Sequence, residues 1–220
     1  MKKYVNLFVF VFMIGACLSQ GRAQTKSAVS YKNPVVDIAM PDPTVIKAAD
    51  GYFYVYATES TRNVPIMKSK DLVEWTYCNT AFTNKTRPRF EPKAGIWAPD
   101  INYINGKYVL YYAMSVWGGE QTCGIGVATA NSPQGPFTDH GKMFRSNEIG
   151  VQNSIDPSLL QYEGRNYLVW GSFRGIYVIE LTADGLSIMS GAKKKRIAGT
   201  AFEAVYIHKH DDYYYRFFSV

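Results

Sequence analysis

Cysteine is scarce in this sequence, with three residues among 220. Cys17 falls in the N-terminal leader. Cys78 and Cys123 remain, too few for a disulfide scaffold, and whether they pair in an oxidising compartment is left open by their spacing. Neither has Cys or His neighbours at metal-ligand spacing. The three histidines also lack partner acids at such spacing: His140 reads as a polar-loop residue, and His208 and His210 as surface or channel residues on one strand. Charge of one sign is lacking too. Of the formal +6, Lys2, Lys3 and Arg22 contribute three, leaving about +3 for the rest, too little for a nucleic-acid partner. The one basic run, Lys193 to Arg196, reads as a solvated edge. Gly118-Gly119 and Gly124-x-Gly126 have no helix after them, so they read as turns and not as a phosphate loop.

The leader's apolar run, Tyr4 to Ala16, is too short for a membrane span and follows Lys2 and Lys3, which marks residues 1–23 as an export signal. Two processing routes stay open. Gly21-Arg22-Ala23 offers a small-x-small cleavage site, while Ile14-Gly15-Ala16-Cys17 resembles a bacterial lipobox that would leave a lipid anchor on Cys17. Either route places residues 24–220 outside the cytoplasm, as one domain that is periplasmic, secreted or anchored at a bacterial cell surface.

Aromatic residues are plentiful at 15%, with 17 Tyr and 12 Phe, which favours strands and sugar-stacking surfaces over helical bundles. They fall in a repeat. Asp42-Pro43-Thr44-Val45-Ile46 turns at Asp50-Gly51 into Tyr52–Thr58. Ala98-Pro99-Asp100-Ile101 turns at Asn105-Gly106 into Tyr108–Tyr112, Asp156-Pro157-Ser158-Leu159 turns at Gly164 into Tyr167–Ser172, and Glu203-Ala204-Val205 turns at Asp211-Asp212 into Tyr213–Ser219. Repeat starts at 42, 98, 156 and 203 lie 47 to 58 residues apart, the period that a β-propeller leaves in sequence. The polar segment 32–39 is a candidate closing strand. First strands line a propeller's channel, so Asp42, Asp156 and Glu203 would converge there, where burial and repulsion separate carboxylate pKa values. In the second copy Ala98 leaves room for a sugar ring. Trp97 beside it reads equally as a stacking face or a packing residue. Asp100, two residues on and therefore on the same side, reads as a structural hydrogen-bond acceptor or as a ring-orienting one.

The order and spacing of Asp42-Pro43, Trp97-Ala98-Pro99-Asp100, Gly135-Pro136-Phe137, Asn153-Ser154-Ile155-Asp156-Pro157, Gly171-Ser172 and Phe202-Glu203-Ala204 resemble glycoside hydrolase family 43 over about residues 33 to 220. The resemblance implies an all-β, five-bladed propeller, of which about three and a half blades are encoded, and a domain incomplete at its C-terminus. It also implies inverting hydrolysis with Asp42 as general base, Glu203 as general acid and Asp156 holding that acid in position. Trp97, Ala98, Asp100, Asn153 and Ser172 would bind substrate. No cofactor is required for the chemistry; the family adds the option of a structural calcium ion in the channel. The implied substrate is a plant polysaccharide or oligosaccharide, α-L-arabinan in preference to a β-xyloside or arabinoxylan, with a non-catalytic sugar-binding propeller as the alternative outside enzymes. Two departures bear on that choice: Pro41 stands where arabinan-cleaving members often have His, and Val205 where Pro is common.

Overall fold

The computed structural model describes residues 30–220, so the leader expected at 1–23, with Cys17, lies outside the described residues. Within Lys32–Val220 the strands form four antiparallel sheets in chain order. The first contains β1 (Thr44–Lys47), β2 (Phe53–Tyr56), β3 (Pro65–Ser69) and β4 (Thr76–Thr80). The second contains β5 (Gly95–Ile104), β6 (Lys107–Ser115), β7 (Gly124–Ala130) and β8 (Thr138–Arg145), followed by a single helical turn, α1 (Ser146–Ile149). The third contains β9 (Ser158–Tyr162), β10 (Arg165–Trp170), β11 (Ile176–Glu180) and β12 (Lys195–Ala198), and the fourth is the hairpin β13 (Glu203–His210) and β14 (Tyr213–Ser219). Each four-stranded sheet pairs its strands in sequence order, which is the blade of a propeller.

The expected turns join the first two strands of each blade. In the first, Gly51 takes φ 82° and Asp50 Oδ1 accepts the Tyr52 amide at 3.0 Å. That left-handed conformation costs glycine no Cβ clash. The second strands of the middle blades, β6 and β10, read as continuous apolar runs because a blade lies on each side of them. Alternation then sorts their side chains. Leu110 and Tyr112 join the core between blades one and two, with Tyr54, Tyr56, Phe82, Ile96 and Phe137. Val109 and Tyr111 join the core between blades two and three, with Phe144, Leu168 and Trp170. Val169, on the other face of β10, meets Ile176 and Val205 of the next interface. Truncating one of these fully buried residues to alanine costs about 2 to 5 kcal/mol. Buried tyrosine hydroxyls find acceptors: Tyr111 donates to Gly185 O at 2.9 Å and Tyr112 to Asp139 Oδ1 at 2.5 Å.

Two expectations are corrected here, for the glycines and for residues 32–39. Gly124 and Gly126 lie in β7, not in a turn, because a Cβ on them would stand 2.3 Å from Phe144 O and from the Tyr112 hydroxyl. Cys78 and Cys123 are free thiols held in different blades, the first on β4 and packed against the first core, the second buried beside Ala113 and Ile155. Residues 32–39 form no strand; the segment beyond them is tied to blade one through Pro41 O, which accepts the Thr58 amide at 2.9 Å. Lys193–Arg196 are all exposed, as expected, and run into the outer strand β12.

Candidate active site

Every inner strand is entered through a non-glycine residue in the left-handed region: Asp42 at φ 49°, Ala98 at 40°, Asp156 at 57° and Ala204 at 51°. Aspartate tolerates this conformation, whereas alanine holds it at a cost on the order of 1 to 2 kcal/mol. Pro43, Pro99, Pro157 and Val205 follow. The structural repeat therefore begins at 42, 98, 156 and 204. Glu203, expected to be the counterpart of Asp42 and Asp156, instead stands one residue earlier, in register with Pro41, Trp97 and Ile155. Strand pairing agrees: Trp97 faces Ala113 before a bulge that ends at Asp100 and Tyr111, and Glu203 faces Ser219 before a bulge that ends at Tyr206 and Phe217.

This one-residue offset separates two layers. Pro41, Trp97, Ile155 and Glu203 line a cavity of about 620 Å³, the mouth, together with Asp42, Asp156, Asn153 and Ser172. Ala98 and Asp100 line an adjoining channel cavity of about 530 Å³, which Asp42 and Asp156 also border. Six of the eight residues singled out in the sequence thus share the mouth. Ala98 and Asp100 border only the channel, because the left-handed kink at Ala98 and the bulge turn the strand between Trp97 and Asp100.

Hydroxyls hold the acids. Thr58 Oγ1 donates to Asp42 Oδ2 at 2.5 Å and accepts the Ala98 amide at 2.6 Å. Ser172 Oγ donates to Glu203 Oε2 at 3.0 Å, and Asn153 Nδ2 donates to Ser172 O at 3.0 Å. The loop carrying Asp156 is anchored below by Ser154, which is fully buried, donates to Val151 O at 2.7 Å and accepts from Trp170 Nε1 at 3.1 Å. Sequence reasoning passed over Thr58. Its signal was available, since it closes the apolar run of the first copy as Ser172 closes that of the third.

Burial pushes the Asp156 carboxyl up to about 7, with the negative charges of Glu203 and then Asp42 adding to it, against a backbone hydrogen bond from Ala204. Three carboxylates at one cavity thus leave one of them proton-bearing near neutrality.

Aromatic surface surrounds the mouth. Trp97 packs against Ala113, Cys123 and Ile155 and also lines the cavity, so it serves packing and lining together. Gly95 makes room for it: a Cβ there would stand 2.4 Å from Trp97 Nε1. Trp117, 94% exposed on the turn after β6, lies 5.4 Å from Trp97 ring to ring. It was missed because one Trp in a glycine turn carries no periodic signal. Glu120 in the same wall accepts from Arg174 Nε and Nη2, both at 3.1 Å, and so ties the loop after β6 to the loop after β10.

The channel carboxylate, Asp100, is engaged by the protein: Leu159 N and Asn102 Nδ2 each donate to Oδ2 at 2.7 Å, and the Thr44 hydroxyl lies 3.5 Å from Oδ1. Burial nevertheless raises it to about 6. It joins blades one, two and three, the structural role of the two weighed for it. Among the described residues no three His, Cys, Asp or Glu side chains come together as a metal site. Asp100 is thereby engaged by protein donors and not free to hold a calcium ion, and no step is derived through one.

The same architecture occurs in known proteins. The chain is 31% identical over 187 residues to arabinan endo-1,5-α-L-arabinosidase A of Aspergillus niger and 35% identical over 187 residues to extracellular endo-α-(1→5)-L-arabinanase 1 of Bacillus subtilis, with 81% and 79% of this chain aligned. It spans 57% of the length of each of those relatives. Among solved structures, native Bacillus subtilis arabinanase superposes with a TM-score of 0.69 at 31% identity, covering 82% of this chain and 65% of that one. The Cellvibrio cellulosa α-L-arabinanase superposes with a TM-score of 0.71 at 27% identity, covering 81% and 64%. The family model for glycosyl hydrolases family 43 matches residues 31–220, and with its successive blades and the acids at their mouth the chain belongs to that family.

Proposed function

We propose that the protein hydrolyses α-L-arabinan or arabino-oligosaccharides of plant cell walls with inversion at the anomeric carbon. The observation that carries the proposal is the gathering of Asp42, Asp156 and Glu203 around one cavity, with Asp156 driven upward by burial and by the other two. Inversion needs an acid to protonate the leaving oxygen and a base to activate water on the opposite face of the sugar, about 6.5 to 9.5 Å apart. Glu203 supplies the acid. Ser172 occupies its Oε2, which leaves Oε1 to deliver the proton that the coupled Asp156 and Glu203 carboxyls hold between them. As the glycosidic C–O bond breaks, that proton passes to the departing sugar oxygen. Asp42, oriented by Thr58, takes a proton from the attacking water as the new C–O bond forms. Asp156 positions Glu203 and keeps negative charge from accumulating at the mouth. The arabinan assignment is supported by the relatives, one of them a Cellvibrio arabinanase solved with arabinohexaose. Export, by cleavage of the leader or by lipidation at Cys17, is in keeping with the relative described as extracellular.

Incubation with linear arabinan, arabinoxylan and aryl glycosides, followed by proton NMR of the first-formed anomer, tests this reading. Inverted arabinose or arabino-oligosaccharide is expected, and Asp42→Asn and Glu203→Gln each lower kcat by about 10² to 10⁴. A variant that keeps more than half of the parent kcat removes that residue from the mechanism.

A further inference from the structure

A second concave site borders the mouth and differs from it in charge. A cavity of about 460 Å³ is lined by Glu59, Arg62, Arg87, Arg89, Glu91 and Lys93, with Gly95 and Met114 in its wall. Chain neighbours of these residues, Thr58, Trp97 and Ser115, line the mouth. The ends of β2 and β6 and the start of β5 therefore form a wall that is one to two residues thick between the two cavities.

Both acids of this cavity are already engaged. Glu59 accepts Arg87 Nη1 and Nη2, each at 2.7 Å, and the amides of Asn63 at 2.8 Å and Ile96 at 3.0 Å. Glu91 pairs with Arg145 and accepts the Thr122 hydroxyl at 3.2 Å. Arg62, Arg89 and Lys93 make no ion pair among the described residues. Asn84 holds the two guanidinium groups in place: its Oδ1 accepts Arg62 Nε at 3.0 Å and its backbone oxygen accepts Arg89 Nη2 at 2.8 Å. A guanidinium carries five N–H donors in a planar fork that matches a carboxylate. One donor of each is used by Asn84, which leaves the others for a ligand. A solvated arginine face is ordinary on a convex surface. Here the cations are gathered in a concavity, oriented by one asparagine, and left without carboxylates by an internal pair that uses up Glu59.

We propose that this cavity is an accessory subsite for the carboxylate of a uronic-acid residue carried by the same polysaccharide whose neutral sugars enter the mouth. The proposal rests on the hydrolase reading for its substrate, and it extends that reading: the enzyme would prefer arabinan chains attached to an acidic backbone over free arabinan. The thin wall places the anion within a few sugar units of the bond to be cut.

The double variant Arg62→Gln/Arg89→Gln, at two exposed positions outside the catalytic mouth, tests it by isothermal titration and by kinetics. Trigalacturonate is expected to bind the parent at low salt and to lose about tenfold or more in affinity in the double variant and at high salt, while arabinotriose binding is unchanged. On uronate-bearing arabinan kcat/KM falls about tenfold in the variant and on linear arabinan it stays level, a split that general structural damage would not produce. Trigalacturonate binding that is absent, or equal in parent and variant, overturns the subsite. So does inorganic phosphate that binds as tightly as trigalacturonate, because the cavity would then take any small anion. If neither polysaccharide is cleaved the hydrolase reading fails, and the titration still decides the subsite.

Discussion

Replacing Asp156 by asparagine should make the protein more stable at neutral pH while disabling it. An aspartate in the unfolded chain releases its proton near pH 3.9, and in the folded protein Asp156 releases it near 7. Between those values the folded state holds the extra proton, so this group's contribution to stability is greatest below about pH 4 and is lost as pH rises through 7. A shift of about three units at 1.36 kcal/mol each bounds the effect near 4 kcal/mol, and water in the open channel reduces it to about 2 to 4. Asparagine keeps the shape and an acceptor for the Ala204 amide but does not titrate. Urea melts of parent and variant, followed by the fluorescence of the four tryptophans, should therefore coincide near pH 4 and separate by about 2 to 4 kcal/mol in the variant's favour at pH 8. Subtraction removes every titrating group that does not interact with Asp156, and leaves its coupling to Glu203 and Asp42 in the difference. A difference that is the same at both pH values, or that grows toward acid, refutes the argument that Asp156 is held protonated by burial and its two neighbours. Activity on polysaccharide should fall at the same time, the usual opposition between a stable site and a working one.

Thr58→Val removes the hydroxyl that orients Asp42 and should lower kcat by about 10- to 100-fold, the loss of one hydrogen bond to a charged group; Thr58→Ser should restore most of it, and a kcat equal to the parent's would remove Thr58 from the site. Glu59→Gln strands the buried Arg87 guanidinium and should cost about 3 to 5 kcal/mol in denaturant melts. Burial alone would raise the Glu59 carboxyl, but Arg87 and the amides of Asn63 and Ile96 outweigh it and hold it below the usual range, so the parent's advantage over this variant should shrink as pH falls through the acidic range. Gly95→Ala should push Trp97 out of place and raise KM more than it lowers kcat, and unchanged kinetics would restrict Trp97 to packing.

The blades were legible because their turns announce themselves. Asp50-Gly51 and Asn105-Gly106 carry residues suited to left-handed φ, and the apolar second strands between them leave little ambiguity. Register at Glu203 was not legible. The backbone repeat is set by the sign of φ, and Ala204 carries no sequence mark of a left-handed conformation, whereas the conspicuous acid one residue before it does catch the eye. The glycines of β7 misled for the converse reason: they are there to let Phe144 and Tyr112 approach, a packing demand without local signature. The acid trio and Ser172 could be read from repeated motifs. Trp117 and the basic cavity could not, since Arg62, Arg87, Arg89 and Lys93 are scattered over two loops, while the run that looked basic in sequence, Lys193 to Arg196, spreads into solvent.

The left-handed entry to each inner strand also bears on how such a site can change. Because the chain reverses hand there, the residue at the kink borders the channel and the one before it does not, so a duplicated blade arrives with two adjacent addresses, one facing the channel and, except at Ala98, the mouth as well, the other facing the mouth alone. Three blades place Pro41, Trp97 and Ile155 at the second address, and the fourth places Glu203 there. A single-residue offset within a repeated scaffold therefore separates Glu203, which faces the mouth alone, from the aspartates at the kinks. What occupies that second address sets what the mouth presents, in a backbone frame that the kinks hold in common.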